Sequence, residues 1–229
     1  MKKLFIMISL LIFPFTAYAY SDYIYRGGNT IGIEINTDGV MIVGFYEVDG
    51  KFNKGKLQNG DYIISVEGNT INKVKDLSEV ISKYTDKKSI DVTIKRHGTK
   101  KNVKMDLLYK DGVYKTGLYV KDNITGIGTL TYVDPESNVF GALGHEIIDS
   151  SSSDIVEIKD GNIFRNYITS IDKSSVGNAG SKNAKYYNST IYGNIKKNTI
   201  EGIFGKYNYD TSNLELLNVG TKKDIKIGP

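Results

Sequence analysis

Apolar and polar positions alternate in short runs along most of the first half of this chain. Ile31, Ile33 and Ile35 are separated by Gly32 and Glu34, and the same reading applies to Val40–Phe45 and Tyr62–Val66. A period of two sends every second side chain to one face, so each run predicts a half-buried strand. One stretch departs from that rhythm. Leu77, Val80, Ile81 and Tyr84 fall at helical spacing, which predicts one amphipathic helix. Asp76, with Glu79 three residues on, predicts its N-cap and a capping box. Ser89–Arg96 and Lys101–Leu108 are strands around His97-Gly98-Thr99, a hairpin turn that leaves His97 exposed.

Beyond Asp111 the strand candidates are Gly117–Lys121, Ile127–Val133 and Asn138–Leu143, with Asp134-Pro135-Glu136-Ser137 turning between the last two. A serine-rich run, Ser150–Asp154, follows. Lys159-Asp160-Gly161-Asn162 reads as a hairpin turn, with further strands around Ile168 and Ile191. No helix-period stretch of useful length occurs here, so this half reads as a barrel or sandwich of short strands. The chain is expected to be mainly β.

Composition narrows the chemistry. The 229 residues include 24 glycines, 3 prolines and 17 tyrosines, a balance suited to sheets with tight turns. The net charge of +4 is spread along the chain, and without a dense basic patch nucleic acid is excluded as a partner. There is no cysteine, and histidine occurs only at 97 and 145. Disulfides, a thiol nucleophile and a catalytic zinc site are therefore not expected, and no cofactor or metal is implied. At the N-terminus, Lys2-Lys3, the apolar Leu4–Phe15 and the small-x-small Ala17-Tyr18-Ala19 predict a signal peptide over 1–19 and export of the body.

Two stretches of the first half carry a resemblance. "TIGI", Thr30–Ile33, is similar to the carboxylate-binding loop of PDZ domains. "GKLQNGDYIISVEGNTI", Gly55–Ile71, is similar to the Gly-x-Leu-x-x-Gly-Asp-x-Ile turn and strand of bacterial PDZ domains. With the helix, they identify residues 20–110 as a PDZ domain, a small β-barrel with one or two helices. The resemblance implies peptide binding by Thr30, Ile31, Gly32 and Ile33, with protein or peptide C-termini as partners. A glycine lets backbone N–H groups face a terminal carboxylate, and a strand edge pairs with an extended peptide.

The remainder, 111–229, resembles the stage IV sporulation protein B family of signalling serine peptidases. The motifs run in a fixed order: "GLYVKD", "GIGTLTY", "FGALGH", "SVGNAGSKNA", "GNIKKNTIEGIFGKYN" and "KKDIKIGP". The resemblance implies part of a chymotrypsin-like β-barrel peptidase unit with His145 as catalytic base. It also implies an exported enzyme acting between the forespore and mother-cell membranes. There it would cleave a membrane-associated regulator of a membrane-embedded protease, leading to late sigma-factor activation. The family's aspartate and its serine, in a Ser-Gly-Ser-Pro type motif, match no residue here. Ser150–Ser153, Ser174 and Ser175 lie in no nucleophile motif. A serine needs a base within reach, an oriented imidazole and an oxyanion hole, so these 229 residues alone are expected to be inactive. The alternative reading is a non-catalytic, PDZ-containing peptide-binding module.

Overall fold

The computed structural model describes residues 21–226 and 228, apart from 54, 55 and 85. The leader over 1–19 and Gly55 of the second PDZ motif lie outside the described residues. Fourteen strands and one α-helix are present among the described residues, in the order β1 (Tyr23–Arg26), β2 (Thr30–Phe45), β3 (Tyr62–Val66), β4 (Asn69–Thr70), α1 (Val74–Ile81), β5 (Ser89–Arg96), β6 (Thr99–Asp106), β7 (Leu108–Lys110), β8 (Val113–Lys115), β9 (Leu118–Val133), β10 (Val139–Ala142), β11 (Ile158–Asp172), β12 (Ser181–Thr199), β13 (Gly202–Tyr207) and β14 (Glu215–Asn218).

Several expected pairs of short strands are single long ones. Ile31–Ile35 and Val40–Phe45 are the two ends of β2, and Gly117–Lys121 and Ile127–Val133 the two ends of β9. These strands pair antiparallel with each other along both ends, with a shift in register between Asn36 and Met41. At one end, β2 and β9 join β10, β13, β12 and β11 in a closed ring of six strands. Ile31, Ile33, Ile35, Leu130, Phe140, Ile163, Ile195 and Ile203 fill its interior. Closure removes free edges from most of the sheet. At the other end, β9, β2, β3, β5 and β6 form a second sheet, with α1 packed over it through Leu77, Val80 and Ile81. The boundary near residue 110 read along the chain is thus crossed in space in both directions. The first segment lends a strand to the barrel, and the second lends Leu118–Lys121 to the PDZ-type sheet.

Local chemistry explains the elements and two departures from expectation. α1 begins earlier than its periodicity indicates, because Asp76 serves the third helical position. Its carboxylate accepts from the N–H groups of Asn72 and Lys73, both at 2.9 Å. Those bonds hold its carboxyl below the usual carboxylate range. Lys159–Asn162 is not a turn but the start of β11 in the barrel wall, where Gly161 faces Ile35 on one side and Ile195 on the other. A Cβ at Gly161 would lie 2.6 Å from the Glu34 carbonyl oxygen; this glycine permits close strand approach rather than a bend. The His97-Gly98 turn is as expected, with both residues at positive φ between paired Arg96 and Thr99.

The two units are clasped by the loop 149–157. Lys95 bridges Asp38 and Glu157, at 3.3 and 2.6 Å. The backbone N–H of Glu157 donates to the Tyr62 hydroxyl at 3.0 Å, and burial pushes that phenol up to about 12. Within the PDZ-type unit, Asp61 is fully buried and held in a two-pronged pair by Arg96, at 2.6 and 2.7 Å. It also accepts from the Gln58 N–H at 2.9 Å. The Gly-Asp of the sequence motif is therefore a structural anchor.

Candidate functional site

His145 lies just past β10, after Leu143 and Gly144, both at positive φ. Its side chain is exposed. The imidazole Nδ1 lies 2.8 Å from the Glu146 carbonyl oxygen. A carbonyl can only accept, so Nδ1 carries the proton and the neutral ring presents Nε2 as the free base. This is the tautomer a general base requires, held here by a backbone carbonyl rather than a carboxylate. The ring borders a cleft of about 560 Å³ whose walls include Ile33, Ile124, Leu143 and Ile147.

The neighbouring candidates for a triad point elsewhere. Asp149 is buried, and its carboxylate is turned into its own loop. It accepts the backbone N–H groups of Ser151 and Ser152, each at 3.0 Å, and both serine hydroxyls. The serine-rich run is thus a tight turn built on Asp149. Ser174 and Ser175 are exposed between β11 and β12, with Ser175 bridged to Asn178. Among the described residues, no serine or carboxylate is hydrogen-bonded to His145. His97 is also exposed, with Nδ1 3.9 Å from Asp154, at the clasp between the units.

Thr30–Ile33 is placed otherwise than its motif implies. The segment is an inner strand of the barrel: Gly32 pairs with Ile127 of β9 on one side and Phe164 of β11 on the other. A strand with partners on both edges has no free edge for a carboxylate or an added peptide. Gly32 has a packing reason instead, since a Cβ would run into the Phe164 ring. The carboxylate-loop assignment to Thr30, Ile31, Gly32 and Ile33 is therefore corrected.

The groove beside α1 is lined instead by Leu77, Ser78 and Ile81 of the helix and by Leu118 and Val120 of β9, with the β7–β8 hairpin at its rim. Gly117 is at positive φ, and its carbonyl accepts from Tyr46 N–H at 2.8 Å. Across the same trans peptide the Leu118 N–H points away from β2, where it reaches the Thr116 hydroxyl at 3.3 Å. Buried Asn53 fixes the approach by donating to the Thr116 and Asp106 carbonyls, at 3.0 and 2.7 Å. "GLYV", Gly117–Val120, also joins a glycine to apolar residues, with the glycine opening the run where in "TIGI" it stands third. The signal was present in the sequence, in the segment assigned to the other unit.

A sheet with one helix across it thus shares strands with a closed barrel that holds a histidine beside a cleft. Comparison with known families assigns both parts. The family described as SpoIVB peptidase S55 matches residues 112–229, and a PDZ domain matches residues 24–107. The chain belongs to the SpoIVB peptidase S55 family, a family of serine peptidases, and carries a PDZ domain that supports peptide binding. No curated protein and no solved structure matches it.

Proposed function

We propose that His145 is the general base of a serine endopeptidase whose PDZ unit docks protein C-termini in the groove between α1 and Leu118–Val120. The observation that carries this reading is the imidazole itself. It is exposed beside a cleft, with Nδ1–H engaged by the Glu146 carbonyl and Nε2 left to take a serine proton. The family implies the remainder of the proposal. The exported enzyme cleaves a membrane-associated regulator of a membrane-embedded protease, in the space between forespore and mother-cell membranes, and so triggers late sigma-factor activation. Lys2-Lys3 and the apolar Leu4–Phe15 support export, and N-terminal sequencing of exported protein should begin at Tyr20. A second reading, a non-catalytic peptide-binding module, is favoured by the lack of a serine or carboxylate partner for His145 among the described residues.

A fluorophosphonate probe decides between them. The protein of these 229 residues should not label. Joined to a C-terminal segment of a related family member bearing the family's serine and aspartate, it should label and cleave. His145→Ala should then reduce cleavage by about 10²–10⁴-fold. Full activity of the extended His145→Ala protein overturns the base assignment, and lack of any cleavage by the extended protein supports the second reading.

A further inference from the structure

The cleft beside His145 has one wall with unused backbone. Thr129 of β9 accepts the Leu143 N–H at 3.1 Å, whereas Leu130 donates to Asn29 on the opposite side. Backbone groups alternate along a strand, so those of Ile127 and Thr125 point the same way as Thr129. On that side β10 pairs only with Leu130, Tyr132 and Val133. From 125 to 127 the edge faces the cleft, and among the described residues no strand covers it.

A second, independent feature lies at the same place. Gly126 and Gly128 are both in β9, and glycine within a strand is unfavourable unless something requires it. Gly128 has a packing reason, since a Cβ there would lie 2.6 Å from Ile33 and Leu143 side-chain atoms. Gly126 has none: its φ lies outside the left-handed range, and an added Cβ would meet nothing within 4 Å. The volume that a side chain would occupy is left open, and Gly126 lines the cleft.

We propose that this cleft is a subsite for extended polypeptide: a segment adds as a strand to the outward backbone groups of Thr125 and Ile127 and lodges one aliphatic side chain among Ile33, Ile124, Leu143 and Ile147. Free main-chain donors and acceptors beside an apolar hollow match an extended chain with a buried side chain at alternate positions. An isolated apolar molecule would leave the edge unsatisfied. The inference rests on the peptidase reading only for the fate of the bound segment, which passes beside His145.

The probe is a seven-residue peptide, acetylated and amidated, with one central leucine among threonines and a lysine at each end. Blocking its terminus removes the carboxylate that the α1 groove would take. Titrated into the 229-residue protein, it should bind saturably and shift the amide resonances of Thr125 and Ile127. An aspartate in place of the leucine, or N-methylation beside it, should weaken binding at least tenfold. Gly126→Val should do the same while leaving the melting temperature equal or higher, because the site has room and an unstrained backbone. No saturable binding, binding unaffected by Gly126→Val, or shifts confined to Leu77, Ser78 and Leu118 would each overturn the subsite. Labelling of the extended protein reads the peptidase assignment separately: peptide binding without labelling leaves the subsite standing, and labelling with cleavage indifferent to Gly126→Val removes the subsite alone.

Discussion

Two short segments of this chain, Thr30–Ile33 and Gly117–Val120, each combine one glycine with apolar residues, and both lie in strands or at their ends. They differ in their neighbours. The first is held between β9 and β11, so its amides are occupied and its glycine is filled by Phe164. The second has β2 on one side and, on the other, the groove beside α1. A glycine beside apolar residues serves as barrel wall in one place and as an available edge in the other. A motif specifies what a backbone could do; only its partners decide whether that backbone is free to do it.

The largest effect should come from the anchor of the open segment's own sheet. Asp61→Ala leaves the Arg96 guanidinium, with little exposed surface, without its carboxylate, and removing one partner of such a buried pair costs about 3–5 kcal/mol. Urea denaturation should register the loss. Amide exchange should quicken across β3, β5 and β6 before it does in β11–β13. Equal loosening of the barrel would mean that the two segments share one cooperative unit.

Gly32→Val should follow, at about 1–3 kcal/mol, because the new side chain must displace the Phe164 ring in a packed wall. Its effect belongs to stability: below the midpoint of unfolding, affinity for a C-terminal peptide should be unchanged. Gly117→Val should show the converse. It strains a residue at positive φ and misdirects the Leu118 N–H, so affinity should fall at least tenfold by calorimetry. Amidating the peptide should have a comparable effect, since charge-assisted bonds are worth about 1.5–3 kcal/mol. If Gly32→Val lowers affinity and Gly117→Val does not, the assignment of the two segments is reversed.

The smallest effects concern the helix on the far side of the groove. Hydrogen bonds from the Asn72 and then the Lys73 N–H keep the Asp76 carboxyl below its ordinary value. A depressed folded-state value stabilises the protein above the unfolded carboxylate pKa of about 3.9 and loses that contribution as pH falls through the lower value. Asp76→Asn should therefore lower the melting temperature slightly at neutral pH, with the difference vanishing in acid. His97→Ala should change neither stability nor peptide affinity appreciably. A difference that persists for Asp76→Asn at pH 2 would assign its role to packing rather than to its charge.

Much was legible from local pattern. Tyr62–Val66 and Ser89–Arg96 are strands with the bounds their alternation indicates, Leu77, Val80 and Ile81 form the buried stripe of the one described α-helix, and the His97-Gly98 turn sits between paired Arg96 and Thr99 as its sequence indicates. These features depend on side-chain periodicity and on backbone preferences within a few residues. His145 was singled out differently, by the resemblance of "GALGH" to a family motif.

Tertiary structure alone decided that β2 and β9 cross from one unit into the other, that Gly161 sits in a wall instead of a turn, and that Asp149 turns into its serine loop rather than towards His145. It also decided that Gly117–Val120 faces the groove in place of Thr30–Ile33. The physical reason is common to all of them. A strand's edges are satisfied by residues far away in sequence, and periodicity records which face of a strand is buried while carrying no information about which edge is paired.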